Sequence, residues 1–259
     1  MTQIHYFYLR RSFLENAKIF YKNTVIDGTT SVNNVYEMFI SVQKIYSANL
    51  RDSINNNVNL GILPQRGNPV FYTYLLFDGG KLNDILKYYS DSPTVSVKNK
   101  HFDEFCGACF YPGKGVSVRK FDHAVEGKQF ILNKLKPGKF CNRLDKVSEL
   151  LSEGRGITIL QLFSDTCHYE AHAREFAIIK ALGINNITNV INGTPYGAMV
   201  NWSPIEIINF GKMCLYNAML MCVLETPRII TLNDILVPKE KSSCKDWELQ
   251  GILQCFLEL

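Results

Sequence analysis

The chain has 259 residues, 46% of them hydrophobic and 20% charged, with a net charge of +4. That is the composition of a soluble globular protein with one sizeable core or two small ones, and so small a net charge names no partner by itself. Eight unevenly spaced cysteines, with no apolar leader among the tyrosines and charges of the N-terminus, read as reduced intracellular thiols and argue against a disulfide-stapled secreted domain.

In chain order, Phe13 to Tyr21 and Asn34 to Leu50 have the periodicity of amphipathic helices, and the Asn-, Gly- and Pro-rich Ser53 to Pro69 reads as a linker. Val70 to Asp78 (VFYTYLLFD) is rich in aromatic and β-branched residues between Asn68-Pro69 and Gly79-Gly80, which marks a strand with Tyr72, Tyr74 and Leu76 on one face and Phe71, Thr73, Leu75 and Phe77 on the other. Phe110-Tyr111-Pro112-Gly113-Lys114-Gly115 reads as a short strand breaking at its glycines into a helix from Val118. One or two helices from Leu144, a strand over Gly156 to Phe163 and a helix over Glu170 to Leu182 capped by Gly183 follow. Ser203 to Leu224 is a last long helix with Pro204 in its first turn. Its most apolar run, Met213 to Leu224, is broken by Tyr216 and Asn217 and is too short to span a bilayer, so no membrane is expected.

The Phe110 to Gly115 corner gathers a tyrosine, a lysine, an arginine and a histidine. Arg119 and His123, at i and i+4, share a helix face and can reach one target: a guanidinium fork suits phosphate oxygens, and an imidazole exchanges a proton near neutrality. A nucleotide-binding P-loop does not fit, because Gly107 to Gly113 is one residue too long and Gly115 stands where a serine or threonine is needed. Cys106 and Cys109 form a lone CxxC, better read as part of the strand entering Tyr111 than as half of a zinc site. Between Phe110 and Phe140 there are seven Lys or Arg against two Asp or Glu, a surface including Lys120 and Lys134 that suits a phosphate backbone or is simply a solvated basic face. Glu175 falls within an apolar stripe with Ala171, Ile178, Ile179 and Leu182; such a carboxylate needs a basic partner or a cation.

A tyrosine strand, a strand ending Tyr-Pro-Gly-Lys, a helix with Arg119 and His123, a helix with Glu175, then Thr188-Asn189 and Tyr196-Gly197 form a series that resembles the GIY-YIG nuclease superfamily. It is most similar to the branched-DNA endonuclease domain of ankyrin-repeat and LEM-domain proteins, over residues 69 to 236. The resemblance implies an α/β (α+β) fold with a small, mostly antiparallel three-stranded sheet flanked by helices, N-terminal helices and a C-terminal helix being added. It divides the chain into a helical extension and linker at 1–66, a nuclease-like domain at 67–238 and a tail at 239–259. No ankyrin period or LEM-like helix pair is visible in the first 60 residues.

Carried over by residue, the resemblance implies Tyr74 and Tyr111 as the two motif tyrosines, Arg119 as the phosphate-binding arginine, Glu175 as the ligand of a single Mg2+ or Mn2+, and Asn189 as an orienting side chain. His123 matches a proton acceptor or donor used in part of the superfamily. Lys114 is expected to lower a tyrosine pKa, and Gly113, Gly115, Lys120 and Lys134 to approach the substrate. The implied function is metal-dependent hydrolysis of structured DNA, in the nucleus or cytoplasm; the alternative is a nucleic-acid-binding module without catalysis. Three departures stand out: Tyr72 replaces the glycine of the first motif, which leaves Tyr72 or Tyr74 as its tyrosine; Pro112 replaces an aliphatic residue in the second; and residues 79–109 form an insertion expected to loop over the site.

Overall fold

The computed structural model describes residues 32–63, 70–90, 99–133 and 141–236. A three-stranded sheet of order β2-β1-β3 has β1 (Phe71–Asp78) at its centre, antiparallel to both β2 (Cys109–Val116) and β3 (Ile157–Thr166). The helices are α1 (Val32–Asn59), α2 (Gly79–Ser90), α3 (Asn99–Ala108), α4 (Arg119–Ile131), α5 (Asn142–Ser152), α6 (His168–Leu182) and α7 (Pro204–Glu225). The expected fold class is therefore the observed one. The helix expected at 13–21, Lys134 and the tail lie outside the described residues.

Helices pack on both sides of β1, so both of its faces are buried, and strand alternation sorts its side chains into two cores. Tyr72, Tyr74 and Leu76 pack with Ala124 of α4, with Val147, Leu150 and Leu151 of α5, and with Ile157. Leu75 and Phe77 face the larger core, built from Leu82 and Leu86 of α2, Phe105 of α3, Ala177 and Ile178 of α6, and Phe210 and Leu215 of α7.

Four readings of the sequence change. First, α1 continues through Ser53 to Asn59, and its Leu50 and Ile54 are buried in the larger core, so apolar spacing outweighs the poor helix propensity of the Asn-rich stretch. The helix is also tied to α6: Glu170, fully buried, accepts from Arg51 at 3.0 Å and from Arg174 at 2.7 Å. Second, α2 and α3 of the insertion pack in the larger core, on the face of β1 opposite Tyr74, instead of covering the tyrosines. Third, Cys106 stands on α3, which places the CxxC across a helix end. Fourth, β2 runs unbroken through Gly113 and Gly115.

Pro112 is accommodated as its chemistry requires. β2 is an edge strand in which Pro112 lies opposite Leu75, so its missing N–H interrupts no interior ladder. The helix caps follow the sequence closely. Gly183 ends α6 at φ +80°, and Ser203 with Glu206 forms a reciprocal capping box before Pro204 at the start of α7. With 22 residues α7 is long and apolar enough to cross a membrane, but Phe210, Cys214, Leu215, Ala218 and Met219 are buried in the protein core.

Candidate active site

The glycines of β2 owe their identity to the strand beside them. Tyr74 lies opposite Gly113 and Tyr72 opposite Gly115, and each ring lies over the glycine facing it. A Cβ on Gly113 would stand 2.5 Å from Tyr74 Cζ and 2.8 Å from Tyr111 Cε1; one on Gly115 would stand 3.0 Å from the Tyr72 hydroxyl. Gly113→Ala is therefore expected to push Tyr74 from its place and to destabilise the fold by about 1–3 kcal/mol, read as a lowered denaturation midpoint.

Tyr72 fastens the corner between β2 and α4. Its hydroxyl donates to Ser117 O at 2.8 Å and accepts from the Lys120 backbone N–H at 3.1 Å, which satisfies one of the free amides at the start of α4. Ser117 makes the turn at φ +51°. Lys120 reaches across to Gln161 of β3, with 2.5 Å from its Nζ to Oε1, and its ammonium lies over the rings of Tyr72 and Phe121.

Tyr74 meets a histidine. Its hydroxyl lies 2.5 Å from His123 Nε2, and the rings of Tyr74, Tyr111 and His123 pack with centroids 5.4–6.2 Å apart. Burial, reinforced by Tyr111, holds the Tyr74 phenol well above the usual tyrosine range, so its hydroxyl is the donor in this bond. Burial, with the fields of Arg143 and Arg119, pushes the His123 imidazole down to about 3 and keeps it a neutral acceptor. His123 Nδ1 is buried with no partner among the described residues. The pair is a protonated tyrosine hydrogen-bonded to a neutral histidine.

Glu175 is buried on α6 and bound at 2.7 Å by Lys114 Nζ, a residue of β2. Burial raises its pKa, while Lys114 and Arg119 oppose that rise. Lys114 alternates with Gly113 along the strand and so faces the side of the sheet away from the tyrosine rings. The expectation that it tunes a tyrosine is replaced by an ion pair with Glu175, and the cations that pull Tyr74 down are Arg143 and Arg119. The site thus wraps the edge strand: tyrosines and histidine on one side, lysine and glutamate on the other.

Arg119, the first residue of α4, is exposed, and its guanidinium forms no hydrogen bond or ion pair among the described residues. Its field nevertheless reaches Tyr72, Tyr74, His123 and Glu175. A free guanidinium beside a helix N-terminus offers donors to an anion. His123, four residues on, turns inward to Tyr74, so the two side chains serve different ends of one site.

Thr188 and Asn189 close the outer edge of β2. Thr188 donates to Phe110 O through its backbone N–H at 2.8 Å and its hydroxyl at 3.0 Å. Asn189 Nδ2 donates to Pro112 O at 2.9 Å, and Asn189 Oδ1 is buried with no partner among the described residues. Asn189 thereby ties the loop after α6 to the strand carrying Tyr111 and Lys114.

One member of the site has no signature in the sequence. Arg143, near the start of α5, donates from Nη1 to the Tyr111 hydroxyl at 3.4 Å, with its guanidinium carbon 5.1 Å from the centre of that ring and Nη2 3.6 Å from Glu126. Only the packing of α5 on α4 brings it beside a tyrosine 32 residues earlier in the chain.

Among the described residues no three His, Cys, Asp or Glu side chains gather to hold a metal ion. Glu175 alone still suits a hard cation, since Mg2+ commonly takes one or two protein carboxylates and completes its shell with water and substrate phosphate. The carboxylate already binds the cationic end of Lys114, so its surroundings accept positive charge.

A small antiparallel sheet carrying Tyr74 and Tyr111, with Arg119 and Glu175 on flanking helices, is the arrangement expected of the GIY-YIG class. Residues 71–237 match the LEM-3-like GIY-YIG domain, and the chain belongs to that family. It is 29% identical over 166 residues to ankyrin repeat and LEM domain-containing protein 1 of Homo sapiens, covering 63% of this chain and 26% of that protein. The Mus musculus protein of the same name is 30% identical over 164 residues, covering 63% of this chain and 30% of that protein. The homologue from Caenorhabditis elegans is 31% identical over 146 residues, covering 55% of this chain and 21% of that protein. The matches thus take in less than a third of the length of each relative. No solved structure matches the chain.

Proposed function

We propose that this chain is a divalent-metal-dependent endonuclease that hydrolyses DNA phosphodiesters, at branched or otherwise non-duplex DNA. The observation that carries this reading is the Tyr74–His123 hydrogen bond, which lies on one side of the same edge strand whose Lys114 holds Glu175 on the other. Arg119 is the free anion-binding group between them, and its field reaches both sides. The preference for branched DNA rests on the motif resemblance of residues 69 to 236 to the branched-DNA endonuclease domain. The six free cysteines among the described residues suit a reducing, intracellular setting, nuclear or cytoplasmic.

Glu175 would hold the Mg2+ or Mn2+, which when bound supplies Lewis-acid stabilisation of charge on the scissile phosphate and the departing 3′ oxygen. Lys114 then gives up its contact with the carboxylate and turns to the phosphate as a second cation. Arg119 binds a non-bridging oxygen through its fork. Tyr111, half-buried at the outside of the ring cluster, meets the attacking water. Tyr74 and His123 lie behind it as the route by which a proton leaves: a proton arriving at the Tyr74 oxygen releases the phenolic proton to His123 Nε2. A bound phosphate offsets the Arg119 charge that depresses the imidazole, so His123 becomes a better base once substrate is in place. Asn189 keeps the Tyr111 strand in register.

The test incubates the purified chain with labelled linear, flap and four-way DNA in Mg2+ or Mn2+, beside Arg119→Ala. Cleavage of the branched substrates, lost with chelator and weakened by Arg119→Ala, supports the reading. Binding to all three without cleavage favours the alternative of a catalytically silent nucleic-acid-binding module.

A further inference from the structure

We propose that Arg143 is a positioning residue of this site, acting through Tyr111: it sets the ring and turns the phenolic proton toward the substrate. The inference rests on the nuclease reading for its catalytic meaning, and on geometry for its substance. Tyr111 oxygen accepts from Arg143 Nη1 at 3.4 Å, so one lone pair faces the arginine. The guanidinium also lies 5.1 Å from the ring centre, on an aromatic surface that favours a cation. With arginine as the donor in this bond, the phenolic hydrogen of Tyr111 is left for another acceptor. On the side away from Arg143, that acceptor is the attacking water or a phosphate oxygen.

Three further observations fit a purpose beyond packing. The second arm of the guanidinium reaches Glu126 of α4 at 3.6 Å, so one side chain links α4, α5 and the ring of Tyr111 and holds the angle between them. Its field acts on Tyr74 and His123 in the same sense as that of Arg119. The two arginines differ in freedom: Arg119 is exposed at a helix start, whereas Arg143 is half-buried and committed to Tyr111 and Glu126. Arg119 suits the phosphate, and Arg143 suits the tyrosine. A lysine at 143 would keep the charge but lose the fork that serves two acceptors.

The experiment is a double-mutant cycle on Arg143→Met and Tyr111→Phe, with Arg143→Lys as the conservative variant, reading single-turnover cleavage and DNA affinity separately. The expected result is a fall of about tenfold to a hundredfold in the cleavage rate for Arg143→Met with DNA affinity little changed, partial recovery with Arg143→Lys, and no further loss when Arg143→Met is added to Tyr111→Phe. In the NMR spectrum of protein labelled at tyrosine 13Cζ, the Tyr111 signal, assigned by its absence in Tyr111→Phe, is expected to move in Arg143→Met. Multiplicative losses in the double variant, a fall confined to DNA affinity, or an unmoved Tyr111 signal would each overturn the proposal. If the parent cuts no DNA the nuclease reading fails, and the Tyr111 signal still decides whether Arg143 acts on it.

Discussion

Tyr74→Phe is expected to lower the single-turnover rate of DNA cleavage by about a hundredfold to ten-thousandfold, the range over which a positioned proton-transfer group acts. The substitution removes one oxygen and keeps the ring that lies over Gly113, so sheet packing survives. What is lost is the hydroxyl 2.5 Å from His123 Nε2. His123→Gln retains an acceptor for that hydroxyl but cannot take a proton onto it, and is expected to fall in the same range. Because the two residues act as one unit, the double variant should cleave no more slowly than the worse single variant. Equal rates for Tyr74→Phe and the parent would move the proton path elsewhere, with Tyr111 next in line.

The second large effect is on stability. The His123 imidazole is lowered from 6.5 to about 3 in the folded chain, so between those values the unfolded state binds a proton that the folded state refuses. The contribution is therefore complete above 6.5 and is lost as pH falls toward about 3, at a slope of up to about 1.4 kcal/mol per pH unit. Glu175 works in the opposite sense: its raised pKa means the folded state takes up a proton first as pH falls, which offsets part of the loss. Urea unfolding followed from neutral pH downward should show a falling midpoint in the parent and a flatter profile in His123→Gln. Parallel profiles for the two would mean that the buried imidazole is not the group responsible.

Much of the site could be read before any fold was known, because its parts sit on elements with strong local signals. β1 is a run of aromatic and β-branched residues between turn formers, and the alternation that places Tyr72 and Tyr74 together is a property of any strand. α6 is framed by good helix formers and Gly183, which fixes Glu175 on a buried face. Pro112 could be assigned to an edge from its missing N–H alone, and β2 is an edge.

What the sequence hides is tertiary. Gly113 and Gly115 look like turn residues because nothing local says that two tyrosines of the neighbouring strand lie over them. Lys114 looks placed to tune a tyrosine because it follows the Tyr111 motif in sequence, yet strand alternation and the arrival of α6 give it to Glu175. The insertion resembles a covering loop, but its Leu82, Leu86 and Phe105 find the larger core on the far face of the sheet. Arg143 and Glu126 meet only through the packing of α4 on α5, for which no spacing rule exists.

Single-turnover cleavage of a 5′-labelled four-way junction by the parent and by Glu175→Gln, in Mg2+ and with gel-shift binding measured alongside, is the most direct measurement of whether a lone carboxylate supports metal-assisted hydrolysis here. The predicted result is cleavage by the parent, and a Glu175→Gln variant that binds the junction but cuts at least about a hundredfold more slowly. Binding without cleavage by the parent, or Glu175→Gln cutting at the parent's rate, would contradict it.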